Sequence, residues 1–260
     1  MIKKIVLPFF FLIVVGCQST PGTGRSQLIL VNQSEISSMA AGEFAKMKKV
    51  PNDPRLERIR TIGLKIVEVA RREDKYRVLP PASQWQFAII DDESPNAFAM
   101  PGGKIGFNKG MFAYAPTDED IAVILGHEVS HVLARHSSER ISQNLLAQVG
   151  SIAIDEATKH ESSAVRRAWM SGFGLGAQVG VLLPFSRAHE EEADYLGIIF
   201  MARAGYNPEA APAFWQRFSK AGGKKPPEFF STHPADETRV RKLQAWLPEA
   251  KAQMPKSVSP

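Results

Sequence analysis

Thr117-Asp118-Glu119-Asp120-Ile121-Ala122-Val123-Ile124-Leu125-Gly126-His127-Glu128-Val129-Ser130-His131-Val132-Leu133-Ala134 is the stretch on which the reading of this chain turns. Thr117, with Asp120 three residues later, is a capping arrangement that opens a helix running through Ile121 to Ala134. Ile121 to Leu125 and then Val132 and Leu133 make that helix apolar nearly all round, which marks it as buried. His127, Glu128 and His131 would be costly there without partners, and a metal ion satisfies them. Residues four apart stack on one helical face, so the two imidazoles can take adjacent corners of one zinc tetrahedron. Glu128 lies one residue round, displaced from an ideal ligand position but near a water on the metal, where it is the natural general base. With six His and eighteen Glu in 260 residues, the H-E-x-x-H spacing has a chance expectation of only roughly 0.01. His136, five residues beyond His131, points elsewhere on a continuous helix and reads as a helix-end histidine.

A catalytic zinc usually takes three protein ligands and keeps one position open. Ser186 to Asp194 begins a later helix and puts Glu190 and Asp194 on one face, where a ligand and a carboxylate that orients a histidine can sit together. Charge alone does not choose among His189, Glu190, Glu191 and Glu192.

The rest of the chain frames these two helices. Asp53 and Pro54 signal a helix start, followed by Leu56, Ile59, Gly63, Ile66 and Ala70 at helical spacing. Trp85 to Ile90, Asn96 to Met100 and Lys104 to Phe107 read as short strands, with Pro101-Gly102-Gly103 as a tight turn in a small sheet. Further helices are expected at about 141–158, 163–182, 186–204, 208–220 and 234–246. The fold class is therefore α+β, mainly helical, with a small β-sheet beside the active-site helix. Gly172 to Ala177 matches a dinucleotide-binding pattern on paper but lacks the preceding strand that pattern needs, so its small residues read as a close helix contact.

Lys3 and Lys4 precede an apolar run from Ile5 to Val15, then Gly16 and the only cysteine, Cys17. Residues 1–16 read as a secretory signal, too short to span a bilayer. Val14-Val15-Gly16-Cys17 resembles the bacterial lipobox, which makes Cys17 the lipidated mature N-terminus, a membrane anchor in the periplasm. Gln18 in place of Asp favours the outer membrane by the rule for such lipoproteins. Residues 17–33, rich in Ser, Thr, Pro and Gly, read as a tether. Residues 34–247 form the domain, and 248–260 a tail. The net charge of +5 is spread through interspersed acids and bases, so nucleic acid is not an expected partner.

These motifs together resemble the M48 family of zinc metallopeptidases, in particular periplasmic lipoproteins related to a mitochondrial inner-membrane protease and to an outer-membrane assembly protease. The family pattern is H-E-x-x-H followed by E-x-x-x-D. The resemblance implies a zincin-like domain with one Zn2+ held by His127, His131 and Glu190, and Asp194 orienting a zinc-bound histidine. It also matches Asn96-Ala97-Phe98-Ala99 with Pro101-Gly102-Gly103 to the substrate-binding strand and turn, and His233 and Arg239 to the mouth of the site. His233 then either plugs the metal or faces the transition state, and Arg239 could stabilise an oxyanion. The implied activity is endoproteolysis of unfolded or misassembled envelope proteins. The alternatives are an outer-membrane assembly factor that cleaves rarely and a hydrolase of cell-wall peptides. The assembly protease carries C-terminal tetratricopeptide repeats, whereas residues after Trp246 read as a Lys, Ala and Pro tail, so the resemblance does not imply docking through repeats.

Overall fold

A computed structural model describes residues 17–75, 77–177, 183–221, 233 and 238–255. Helix α3, Asp118–Leu133, is the axle of the domain. Its capping box forms as the sequence predicts: Asp120 N–H donates to Thr117 Oγ1, and the Thr117 N–H donates to the Asp120 carboxylate. Asp118, Glu119 and Asp120 in its first turn complement the positive end of the helix dipole. All of α3 from Asp120 to Leu133 is buried except His131, which is partly so.

Around α3 pack α2 (Arg55–Glu73), α6 (Leu183–Arg203), α7 (Ala210–Ala221) and a three-stranded sheet. The core they share includes Ile59, Ile66, Phe107, Ile121, Ile124, Leu125, Phe200 and Phe214. Each such side chain contributes about 1.5–3 kcal/mol on leaving water. α2 presents the predicted stripe inward through Ile59, Gly63, Ile66 and Ala70, and Asp53 accepts from the Arg55 N–H at its start.

The sheet order is β3–β5–β4, where β3 is Gln86–Ile90, β4 Ala97–Met100 and β5 Lys104–Asn108. β3 runs parallel to β5, and β4 antiparallel to it. The β4–β5 turn puts Gly102 and Gly103 at φ 77° and 73°, a region that glycine enters without strain. Among the described residues β4 is thus an edge strand, paired with β5 alone.

Three elements lie around this centre. α4 (His136–Ala157) and α5 (Ser163–Ala177) pack on each other, and α8 (Arg239–Ala252) packs on α6 and α7. α4 begins earlier than the expected residue 141 because Arg135 takes a left-handed conformation, φ 55°, that ends α3 and restarts the chain. Residues 178–182 and 234–237 of the expected helices lie outside the described residues. Among the described residues, no helix is long and apolar enough to cross a membrane.

The expectation of a tether over residues 17–33 needs correction. β1 (Cys17–Ser19) pairs antiparallel with β2 (Ser26–Leu28), and Thr20, Gln27 and Ile29 are buried. Gln27, with its amide turned to satisfy both groups, donates to the Ala134 carbonyl at the end of α3 and accepts from Arg135. The Leu30 N–H donates to Ser142 on α4. The polar side chains that suggested a solvated spacer instead cap and bridge other helices. α1 (Gln33–Lys46), unpredicted, follows with Asn32 as its N-cap.

Candidate metal centre

Two helices build the site, and they touch backbone to backbone. A Cβ on Gly126 would lie 2.8 Å from the Gly197 carbonyl oxygen, and one on Gly197 would lie 2.9 Å from the His127 nitrogen. Only glycine at both positions lets α3 and α6 come this close, and the contact sits beside His127. Neither glycine was singled out from the sequence, although a glycine inside a buried helix is itself a signal of close approach.

From α3, His127 and His131 bring their Nε2 atoms to 3.0 Å of each other. From α6, Glu190 places Oε2 at 3.3 Å from His127 Nε2 and Oε1 at 3.4 Å from His131 Nε2. His233 adds Nδ1 at 3.1 Å from both His127 Nε2 and Glu190 Oε1. Donors around a tetrahedral zinc, 2.0–2.1 Å from the ion, stand about 3.3 Å from one another. Four donor atoms of the right chemistry converge here within 4.8 Å, so these residues fit such an ion. A second observation agrees: Glu128 Oε1 is buried and has no hydrogen bond, with His233 Nε2 3.4 Å away. An acceptor held bare at that place suits a water bound next to the ion.

The structure separates the four candidate ligands that charge left open. Glu190 faces the histidines. Glu191 points outward to Lys242, Glu192 binds His136 and His189 binds Glu139. Asp194 accepts from His127 Nδ1–H at 2.9 Å, which turns Nε2 toward the cluster. His136 departs from its expected place: its Nδ1 is 2.7 Å from His131 Nδ1, because the break at Arg135 cancels the continuous-helix geometry.

Arg239 also departs from expectation. Its guanidinium is buried behind the carboxylates, Nη2 donating to Glu190 at 3.0 Å and Nε to Asp194, with its face over Trp215 at 4.0 Å. It does not line the cleft, which is bounded by Phe98, Ala99, Glu128, His131, Glu190 and His233 among others. An oxyanion contact is therefore replaced by a clamp on the two acids. β4 borders that cleft through Phe98 and Ala99, while Asn96 and Ala97 are buried and sit farther from it.

Electrostatics follow from burial opposed by pairing. Burial works against an ionised Glu190, but His233 and His127 hold it well below the usual carboxylate range. Burial pushes Glu128 up, opposed by His233 and His127 and by a hydrogen bond from the Ala99 backbone. His127 resists burial through Asp194 and Glu190 and rises to about 9. Burial and the neighbouring His127 keep His131 well below the ordinary value. The two neighbouring histidines are thus shifted in opposite directions, as groups competing for one charge are.

Residues 57–247 match the model described as peptidase family M48. The chain is 38% identical over 169 residues to the mitochondrial metalloendopeptidase OMA1 of Schizosaccharomyces pombe, covering 64% of this chain and 48% of that protein. It is 32% identical over 209 residues to OMA1 of Saccharomyces cerevisiae, covering 77% and 58%. A third relative is the beta-barrel assembly-enhancing protease of Yersinia pestis, 30% identical over 234 residues, covering 84% and 45%. The chain spans about half the length of these curated relatives.

Proposed function

The chain belongs to peptidase family M48, and we propose from its site that it is a zinc-dependent endopeptidase with one Zn2+ per chain, held by His127, His131 and Glu190. The observation that carries this reading is the convergence of those donors beside the bare, buried oxygen of Glu128. When bound, the zinc would polarise the scissile carbonyl and acidify its water.

The protein's own groups do the rest. Glu128 takes a proton from the attacking water and passes it to the leaving amide nitrogen, a task favoured by burial that lifts its proton affinity. Asp194 fixes the His127 tautomer, and Arg239 pairs with Asp194 and Glu190 and holds both in place. An extended substrate adds as a strand to the open edge of β4, where main-chain pairing selects for unfolded chain and little for side chain. His233 fills the fourth corner of the cluster, which supports a plug over a transition-state contact. That same plug supports a largely shut resting enzyme, and so a protein that binds assembly intermediates and cleaves them rarely.

We place it in the bacterial cell envelope, lipid-anchored at Cys17 and facing the periplasm from the outer membrane, with unfolded or misassembled envelope proteins as substrates. The support for this is the signal-like residues 1–16, the lipobox resemblance and Gln18. The test compares wild type with Glu128→Gln on an unfolded protein, with and without chelator, while measuring bound metal. Equal zinc content with cleavage lost in the variant is expected. Cleavage retained by Glu128→Gln overturns the mechanism.

A further inference from the structure

His131 and His127 face the same cluster, yet among the described residues only His127 has a carboxylate on its second nitrogen. Behind His131 stands His136, and behind His136 stands Glu192. His136 Nδ1 is 2.7 Å from His131 Nδ1, and its Nε2 is 2.9 Å from Glu192 Oε2. All of this is inside the protein: His136 and Glu192 are 4% and 5% exposed. The proton bookkeeping has one solution. If His131 offers its Nε2 lone pair to a metal, its Nδ1 carries the hydrogen and donates it to His136 Nδ1. His136 then carries its own hydrogen on Nε2 and donates that to the Glu192 carboxylate. Every donor meets an acceptor, and both rings stay neutral.

Glu192 is in turn pinned from the N-terminal segment, where Arg25 Nε donates to Oε2 at 2.8 Å and Thr23 Oγ1 donates to Oε1. The other end of Arg25 grips Glu139 through Nη1 at 3.1 Å and Nη2 at 2.7 Å, and Glu139 also holds His189. His189 stacks on His136, ring centroids 4.2 Å apart and planes 17° apart. The plane of the His136 ring is thus fixed by stacking, and its direction by Glu192. A neutral ring with no metal to bind, buried and tied at both nitrogens, has the form of a part that aims its neighbour.

We propose that His136 is a positioning residue that fixes the tautomer and direction of His131 as a metal ligand, anchored through Glu192 to Thr23 and Arg25 of the N-terminal segment. The inference rests on the zinc reading above. It gives the site two matched supports, Asp194 with Arg239 behind His127, and His136 with Glu192 and Arg25 behind His131. Supports of this kind contribute 10–100-fold in metal affinity.

The test uses the full chain carrying Glu128→Gln, so that self-cleavage does not intrude. Zinc affinity is measured by chelator competition, and the ligand field by the visible absorption of the cobalt-loaded protein. His136→Ala is expected to bind zinc about 10–100-fold more weakly and to shift the cobalt bands. His136→Asn, whose amide oxygen can stand where Nδ1 accepts, is expected to recover part of the loss, and Arg25→Ala to lose less than His136→Ala. Affinity and cobalt bands unchanged in His136→Ala would overturn the proposal. So would equal losses in His136→Ala and His136→Asn accompanied by equally lowered melting of the metal-free proteins, which marks a merely structural residue. If the Glu128→Gln parent binds no zinc, it is the zinc reading itself that fails.

Discussion

Adding one methyl group at Gly197 sets two effects against each other. Gly to Ala inside a helix is worth up to about 1 kcal/mol of stability. At Gly197 the new Cβ would lie 2.9 Å from the His127 nitrogen, 3.0 Å from the Gly126 carbonyl carbon and 3.2 Å from the His127 Cα. Those are backbone atoms, which cannot rotate aside. Reaching an ordinary contact of 3.4 Å requires α3 and α6 to part by roughly 0.5 Å, and overpacking of this kind costs about 1–3 kcal/mol. Strain, about 2 kcal/mol at mid-range, wins, leaving a net destabilisation of about 1 kcal/mol and a melting temperature lower by roughly 2–4 °C. The same displacement separates Glu190 from His127 and His131 by more than the ~0.2 Å a zinc site tolerates. Zinc affinity should therefore drop by about tenfold or more, equivalent to at least 1.4 kcal/mol. Gly172→Ala is the control, an exposed helical glycine whose Cβ would meet nothing within 4 Å, and it should stabilise. Thermal unfolding of the metal-free proteins and chelator competition for zinc measure both quantities. If Gly197→Ala melts at or above wild type and holds zinc as tightly, the backbone contact does not set the ligand spacing.

Three further outcomes are expected. His233→Ala should raise proteolysis and self-cleavage, read by gel-based turnover of an unfolded substrate, whereas a loss of about 10²-fold would assign it to the transition state instead. Glu190→Ala should lose bound zinc by elemental analysis while Glu191→Ala, at a residue that pairs with surface Lys242, keeps it; the reverse would refute the helix register. The third concerns pH. Burial holds His136 down at about 4 and, against burial, His189 and Arg25 pull Glu139 to about 2. The unfolded chain binds more protons than the folded one below pH ~6.5, so stability falls on acidification, by at most about 1.4 kcal/mol per pH unit per group. His127, raised to about 9 in the metal-free site, acts oppositely, and its contribution is lost as pH rises from about 6.5 through 9. Metal-free protein should therefore melt highest near neutrality, and zinc should remove the alkaline decline by claiming His127. An alkaline decline that persists with zinc bound would contradict this.

The sequence made α3 legible because cap, apolar surround and metal spacing all fell within one stretch. It also made the hairpin legible, since Gly102 and Gly103 state their own backbone requirement. Glu190 could not be told from Glu191 and Glu192 by charge, because the choice depends on which neighbours each meets: the histidines, Lys242 or His136. His136 was misread by assuming that α3 continues past Arg135, whose left-handed φ no residue type announced. Arg239 was placed by analogy at the substrate, whereas Trp215 and two acids hold it behind the ligands. α1 escaped notice because only Ala40 and Phe44 of its 14 residues are buried, too few to print a stripe.

The packing of residues 17–30 bears on how far the enzyme could travel. A free spacer of the 16 residues 18–33 would let the domain roam roughly 53–58 Å from an anchored cysteine. Here Cys17 is already backbone-paired with Leu28, and Thr20 is buried, so only Gln18 and Ser19 separate them, a span of about 10 Å. An acyl chain on Cys17, as proposed, would moor the catalytic body against the lipid surface on a leash about one helix diameter long. Its working radius would then be set by lateral diffusion in the leaflet, and it would meet clients delivered to the membrane, not those drifting across the compartment.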